Sequence, residues 1–396
     1  MASRVLVAGS GVIGLRTAVE LTRRQIPVVL RSPIHPLHPS NCSQGAGGLW
    51  MPFHCDDPRT ERWALETMDE IYPMAADPKN SLVDLRYVLA LKRNHEGPNT
   101  EDFVAEDYHK GTGGKSRLPL WSSDERFKFQ NVTMEQVAWQ NTIYKLKLPS
   151  LSKVQAAGYN HGWFFETPIV DSPKMMEELL REIKGEGSPN NNDVNVETGV
   201  YYQSISELIE EAKDLGCNRV VNCTGLGSVQ VCQDKELVGA RGCLLMYDRE
   251  SCVRLPHPPA ENPLLAPPPE ELHDACIMVE SAPWGSNEYP CYMIVRGDTI
   301  VVGGTYLEGD GEPSMRPQER ERLLENARIL GIDTDACQAK GEWVGFRPYR
   351  PTTSCEIDEE HSSHGIRLIH SYGSGGSGWT VYTGIAKETT SLTLQS

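Results

Sequence analysis

A glycine run at the start of the chain, Gly9-Ser10-Gly11-Val12-Ile13-Gly14, limits the fold more than any other feature. It follows a short apolar run, Val5-Leu6-Val7-Ala8, and leads into Leu15, Ala18, Val19 and Leu21, which recur at helical spacing. Val28-Val29-Leu30 is a second apolar run, so the opening reads as strand, tight turn, helix, strand within about 30 residues. In such a unit Gly9 permits the turn, Gly11 admits a pyrophosphate to the backbone and Gly14 lets helix and strand pack. The phosphates then sit at the positive helix N-terminus. A bare GxGxxG is weak evidence, but here it has the strand–turn–helix context that the motif requires. The acidic residue expected near the end of the second strand, for ribose hydroxyls, is missing; Leu30-Arg31-Ser32-Pro33 stands there. Arg31 would suit a phosphate, so this stretch alone does not separate FAD from NADP.

Composition removes several function classes. The 396 residues carry a formal charge of −16, which disfavours nucleic acid and anionic membranes as partners. No run of about 18 apolar residues occurs, and the first residues lack the charged-then-apolar order of a signal peptide. Eleven cysteines without a CxxC pair fit free thiols in a reducing compartment better than a disulfide framework. His54 beside Cys55, Asp56 and Asp57 raises the thought of a metal, but no second ligand pair has the right spacing, and no metal is expected.

Further along, strands are expected near 83–91 and around 163–165, with a helix over 173–183. Arg219-Val220-Val221-Asn222-Cys223-Thr224-Gly225, an apolar strand running into a glycine turn, reads as a return of the chain to the first sheet. Seven prolines within 254–269 exclude helix or central strand there and mark an extended insertion. A hairpin is expected from 292–295 and 299–302 around Gly297-Asp298, then a helix over 317–329.

Three later segments are candidate sites. Gly47-Gly48-Leu49-Trp50-Met51-Pro52-Phe53, after Ser43-Gln44-Gly45-Ala46, is either backbone lying against a flat ligand or a glycine loop capped by a core tryptophan. Gly345-Phe346-Arg347-Pro348-Tyr349-Arg350-Pro351 puts two guanidinium forks on a stiff backbone, which suits bidentate carboxylate recognition; a structural ion pair is the plainer reading. His370-Ser371-Tyr372-Gly373-Ser374-Gly375-Gly376-Ser377-Gly378-Trp379-Thr380 is glycine-rich enough to form a nest of backbone donors, yet its apolar flanks suggest an ordered turn in a core.

In this order, VLVAGSGVIGL, GAGGLWMPF, VVNCTGLG, GGTY, GFRPYRP and HSYGSGGSGWTVYTG resemble the D-amino-acid oxidase and D-aspartate oxidase family, from Val5 to Gly384. GFRPYRP followed by HSYGSGGSG is the specific part; the first and third blocks occur in many flavoproteins. The resemblance implies an α/β chain, a Rossmann-type FAD-binding domain (1–55, 150–235 and 345–396) interleaved with a mixed-sheet α+β substrate domain (56–149 and 236–344). It implies FAD held by Gly9, Gly11, Val12, Ile13, Gly14, Arg31, Ser32, Ser43, Gly47, Gly48, Leu49, Val200, Thr224 and Gly225, with Gly375, Gly376, Gly378, Trp379 and Thr380 along the flavin. Val200 would offer a backbone contact to adenine, and Ser32 departs from the family's acidic ribose ligand. Arg347 matches the arginine that clamps the substrate carboxylate, and Tyr292 the tyrosine that bonds it. Tyr306 is similar to a second pocket tyrosine of fungal members, and Gly376 matches the carbonyl that accepts the amine. In the aspartate-specific branch the residue after GGT is typically arginine, where this chain has Tyr306.

The implied reaction needs no acid or base residue, and none is evident. The neutral amine binds, its Cα–H leaves as hydride to the flavin, and oxygen restores the flavin with release of hydrogen peroxide. The expected partners are a neutral D-amino acid and O2; a homodimer stays open. Such enzymes are peroxisomal by resemblance, although Leu394-Gln395-Ser396 does not match the Ser-Lys-Leu address, which leaves the cytoplasm as the alternative. The rival readings are a D-aspartate oxidase, another flavin amine oxidase of glycine or sarcosine type, a dehydrogenase using a different acceptor, and a non-enzymatic dinucleotide sensor.

Overall fold

The structure, a computed structural model of the chain, describes residues 4–52, 55–93, 119–133, 151–185, 194–252, 275–280, 282–362 and 365–395. The proline-rich stretch 254–269, Phe53 and His54 lie outside the described residues. In chain order the strands are β1 (Val5–Ala8), β2 (Val28–Ser32), β3 (Val83–Lys92), β4 (Gln130–Thr133), β5 (His161–Val170), β6 (Asn195–Thr198) and β7 (Arg219–Asn222). They continue as β8 (Val238–Asp248), β9 (Cys276–Val279), β10 (Cys291–Arg296), β11 (Thr299–Gly303), β12 (Leu307–Glu308), β13 (Ala339–Asp358) and β14 (Arg367–Ser374). The chain divides into two compact units, one of Met1–Pro73, Ser172–Ala240 and Phe346–Ser396, the other of Met74–Asp171 and Arg241–Gly345.

The first unit is of Rossmann type. Its strands run β13-β14-β7-β1-β2-β6, parallel from β14 to β6, with β13 antiparallel at one side. Parallel strands are covered on both faces and read as unbroken apolar runs; all four residues of β1 and all five of β2 are buried. Helix Val12–Arg23 buries Leu15, Ala18, Val19 and Leu21 and packs against helices Ser172–Ile183 and Gly378–Leu394. The expected return of the chain is β7, whose Val220 and Val221 stand beside Leu6 and Val7 of β1.

The second unit is built on β4-β5-β3-β9-β10-β11-β8, with β12 on β8. The pairs β4–β5, β5–β3, β9–β10, β10–β11 and β11–β8 are antiparallel, and β3 with β9 is parallel. The expected hairpin is β10–β11, turning at Gly297-Asp298. Leu89, Phe164, Leu245, Ile277, Met293 and Val302 share a core with Leu323 and Ala327 of helix Pro317–Ile329. The α/β class is therefore as the sequence suggests. All eleven cysteines are free, and no helix among the described residues is long and apolar enough to cross a membrane.

One buried ion pair organises this second unit. Arg241 is fully buried and meets Glu319 through Nη1–Oε1 at 2.5 Å and Nη2–Oε2 at 2.9 Å. Arg241 also donates to the carbonyls of Glu312 and Ser314, while the Glu319 carboxylate accepts the Arg316 backbone N–H at 2.9 Å, capping the helix. Burial pushes the Glu319 carboxyl up, but the hydrogen bonds and charge of Arg241 and Arg316 outweigh it, and the group is held below the ordinary range. Removing one partner strands a buried charge, so Glu319→Gln should cost roughly 3–5 kcal/mol in urea unfolding at pH 7. The lowered folded value makes the carboxylate's contribution complete above its unfolded value of about 4.3. It fades as pH falls through the folded value, so the gap between variant and parent should begin to narrow in unfolding measured below about pH 4 and close only below the folded value.

Candidate cofactor and substrate site

The three glycines of the opening turn meet different surroundings. Gly9 has φ +113°, and a Cβ there would lie 2.1 Å from the Cys223 carbonyl oxygen. A Cβ on Gly14 would lie 2.0 Å from the Gly9 carbonyl oxygen. The protein's own backbone forbids side chains at both. Gly11 differs, for its nearest neighbour would be Ser43 Oγ at 3.5 Å. Space is left open at the one glycine where the motif admits a phosphate, which is the cradle a dinucleotide needs. Helix Val12–Arg23 has Gly11 as its N-cap without a side-chain cap, and the Val12 N–H donates to Ser43 Oγ at 3.0 Å. Val12 and Gly14 are buried, Gly11 and Ile13 half-buried.

Two distant segments close on this turn within the same unit. The Trp379 indole N–H donates to the Ser43 carbonyl at 3.0 Å. Thr380 Oγ1 accepts from Met51 N–H at 3.2 Å and lies 3.1 Å from the Met51 carbonyl. Trp50 is a core residue, its indole N–H donating to the Ala64 carbonyl at 2.9 Å, while Gly47 and Leu49 stay half-buried and Gly48 is buried with φ +76°. Along the last glycine run Gly375 is buried, Gly378 half-buried, and Gly376 exposed among buried neighbours.

Arg31 and Ser32, at the end of β2, are occupied within the protein. The Arg31 guanidinium meets Glu197 at 2.9 Å and Glu211 at 3.3 Å. Ser32 Oγ donates to the Ile34 carbonyl at 2.7 Å, and Ser32 accepts the Val200 N–H through its own carbonyl at 3.2 Å. Val200 is thereby laid alongside β2.

In GFRPYRP the two arginines separate. Arg350 Nε meets Asp234 at 3.0 Å and Arg350 Nη2 meets Glu236 at 2.8 Å. Burial pushes the Asp234 carboxyl up, but hydrogen bonds from Tyr372, the Glu236 backbone and Arg350 hold it below the usual range. Arg347 is half-buried, and its charge reaches Cys42, drawing that thiol down against burial, which on balance pushes it up. Pro348 lies beside Gly225, whose Cβ would be 3.9 Å from Pro348 Cγ.

Tyr292 and Tyr306 belong to the second unit. The Tyr292 ring covers the glycines of GGTY: a Cβ on Gly303 would lie 2.1 Å from its Cζ, and one on Gly304 2.8 Å from its hydroxyl. The Tyr306 N–H donates to the Glu288 carbonyl at 2.7 Å, and the side chain is buried. Arg296 sits at the other end of β10, opposite Thr299. Burial lowers its pKa, while Asp171 and Asp298 supply opposing charge. Among the described residues no group of three metal-ligating side chains exists; His54 lies outside them.

Sequence reasoning missed Asn222. Its Oδ1 accepts from the Thr224 N–H at 3.1 Å and the Thr224 hydroxyl at 2.7 Å, so it shapes the Thr224–Gly225 turn. The only hint was a polar residue closing an otherwise apolar strand.

Fold and turn together define a dinucleotide-binding oxidoreductase class. More narrowly, the chain belongs to the FAD dependent oxidoreductase family, whose sequence model matches residues 4–392. It is 25% identical to a D-amino-acid oxidase of Rubrobacter xylanophilus, over 98% of this chain and 95% of that protein. It is 24% identical to a D-aspartate oxidase of Homo sapiens, over 98% and 94%. A solved glycine oxidase from Geobacillus kaustophilus shares the fold, with a TM-score of 0.68 at 15% identity over 99% of this chain and 95% of that one. The cofactor is FAD.

The unequal surroundings of the glycines give a direct expectation. Gly11→Ala should fold with a melting point close to the parent, because the nearest atom from outside its own stretch of chain, Ser43 Oγ, would be 3.5 Å from the added methyl. Its FAD dissociation constant should rise by about a hundredfold or more, since the methyl fills the phosphate approach. Gly14→Ala should instead lose soluble folded protein, as its methyl would meet backbone at 2.0 Å. Equal FAD affinity in Gly11→Ala and the parent, by flavin fluorescence, would refute the cradle.

Proposed function

We propose that the protein oxidises neutral D-amino acids to imino acids, which hydrolyse to 2-oxo acids and ammonia, while O2 is reduced to hydrogen peroxide. Bound FAD supplies the hydride acceptor. The chain's part is to bind and orient. Gly9, Gly11, Val12, Ile13 and Gly14 hold the diphosphate end, with Ser43, Thr224 and Gly225 nearby in the chain's own packing. Gly47 to Leu49 and Gly375 to Thr380 flank the flavin, and Val200 meets adenine through its backbone. Arg347 pairs with the substrate carboxylate, Tyr292 gives it a hydrogen bond, and the Gly376 carbonyl receives the amine. No side chain is required to carry the Cα hydrogen away, which leaves positioning as the protein's contribution.

The observation that carries the neutral preference is Tyr306 at the position after GGT. A buried phenol offers one neutral hydrogen bond, whereas a second substrate carboxylate entering beside it would lose its hydration against a group that carries no charge. The nearby buried cation on β8, Arg241, is already matched by Glu319, and Arg296 faces Asp171 and Asp298 at the hairpin end.

Anaerobic mixing with each enantiomer of alanine tests the reaction. The flavin absorbance should bleach with D-alanine and persist with L-alanine, because a centre held by carboxylate, amine and side chain presents its hydrogen in one hand only. In the same assay Arg347→Ala should lose about two to four orders of magnitude in kcat/KM with flavin content unchanged. Arg350→Ala should show its loss in folded yield instead. Equal bleaching by both enantiomers would sink the reading.

The substrate preference is tested separately. The ratio of kcat/KM for D-alanine to that for D-aspartate should exceed about a hundred at neutral pH, and Tyr306→Arg should shift it toward aspartate. A ratio below one would establish an acidic substrate instead.

A further inference from the structure

His370 stands beside Asn222 across the parallel pair β14–β7, and both are buried. Their hydrogen bonds can be ordered by logic. The Thr224 backbone N–H can only donate, so the Asn222 atom that meets it at 3.1 Å must be the oxygen. The Asn222 amide nitrogen therefore faces the other way, toward Ser228 Oγ, Cys232 Sγ and His370 Nδ1, each at 3.2 Å. An amide nitrogen only donates, so His370 Nδ1 must accept, and the ring proton lies on Nε2. Nε2 is 3.1 Å from Asp358 Oδ2 on β13, the acceptor this tautomer needs. Asp358 is held in place by His361, through the backbone N–H to Oδ1 and Nδ1 to Oδ2, both at 2.9 Å.

The chain of bonds ends at the glycine turn. Asn222 fixes both the N–H and the hydroxyl of Thr224, and the backbone at Cys223 and Thr224 is what a Gly9 side chain would strike, at 2.1 and 3.0 Å. We propose that His370 is a positioning residue for the cofactor: fixed as the Nε2–H tautomer by Asp358, it orients Asn222, which sets the Cys223–Gly225 turn against the Gly9 backbone and so shapes the cradle for FAD. His370 itself touches no cofactor in this role. The inference rests on the family's FAD and not on the identity of the amino-acid substrate.

FAD release from the purified holoenzyme, followed as free-flavin fluorescence on serial dilution, tests it. His370→Leu removes the ring acceptor and leaves the two Asn222 amide protons only the Ser228 hydroxyl and the weakly accepting Cys232 sulfur, which should weaken FAD binding by about tenfold or more. His370→Asn offers a side-chain oxygen in place of Nδ1 and should stay within about threefold of the parent. Should His370→Leu yield no folded protein, Asp358→Ala and Asp358→Asn repeat the contrast, with loss expected in the first and retention in the second. Parent-like FAD affinity in His370→Leu, or in Asp358→Ala where that pair is used, overturns the inference. Equal loss in the apolar and the hydrogen-bonding variant overturns it too, because a packing role would not distinguish them.

Discussion

The first unit depends on one close approach of backbone to backbone. The strand β1 runs into Gly9, which the β7 turn presses on from one side, with the Cys223 carbonyl where a Cβ would be. The next helix presses from the other, with Gly14 over the Gly9 carbonyl. Two contacts of about 2 Å to a notional methyl leave no latitude. Any side chain at either position would push the helix off the sheet, and with it the Val12 N–H that meets Ser43 Oγ. The pairing of β1 with β7 follows, since β1 must lie beside β7 for the first press to act.

Around that fixed turn the unit gathers segments far apart in sequence by polar rather than apolar contacts. Ser43 accepts from the helix N-terminus through its hydroxyl and from Trp379 through its carbonyl, 336 residues away. Thr380 ties the same C-terminal segment to Met51, 329 residues away. These bonds are directional, so they set orientation as well as proximity, which apolar packing does poorly. Glycine runs elsewhere in a chain are often mobile; here both flanks of the run at Gly375 are bonded, and Gly376 is left facing out.

What the sequence revealed and what it hid divide along the same physical line. Local features were legible: the strand–turn–helix at Gly9, the hairpin at Gly297-Asp298, and helix Pro317–Ile329 all follow from periodicity and turn residues within a few positions. Residues whose meaning depends on distant partners were not. Two arginines in one heptapeptide could not be told apart from spacing, because the carboxylate that claims Arg350 lies 116 residues earlier. Spacing could not show that Arg31, which suits a phosphate, also meets Glu197 and Glu211. Trp50 could lie on a ligand or in a core, and only the Ala64 carbonyl decides for the core.

The second unit shows how two neighbouring tyrosines can be set independently. Tyr292 rests on Gly303 and Gly304, so its ring is placed by backbone that carries no side chains to alter. Tyr306 is placed by its own N–H on the Glu288 carbonyl and by Thr305, whose hydroxyl accepts from the Cys243 N–H at 3.0 Å and lies 3.2 Å from the Arg241 carbonyl. None of those bonds uses the Tyr306 side chain. The bed under Tyr292 and the bonds that set the backbone at 306 therefore lie in main chain and in Thr305. A position whose backbone is fixed by main-chain bonds is one where the path of the chain does not depend on the side chain it carries. The two glycines of GGTY are thus not a flexible turn but the bed on which the Tyr292 ring lies.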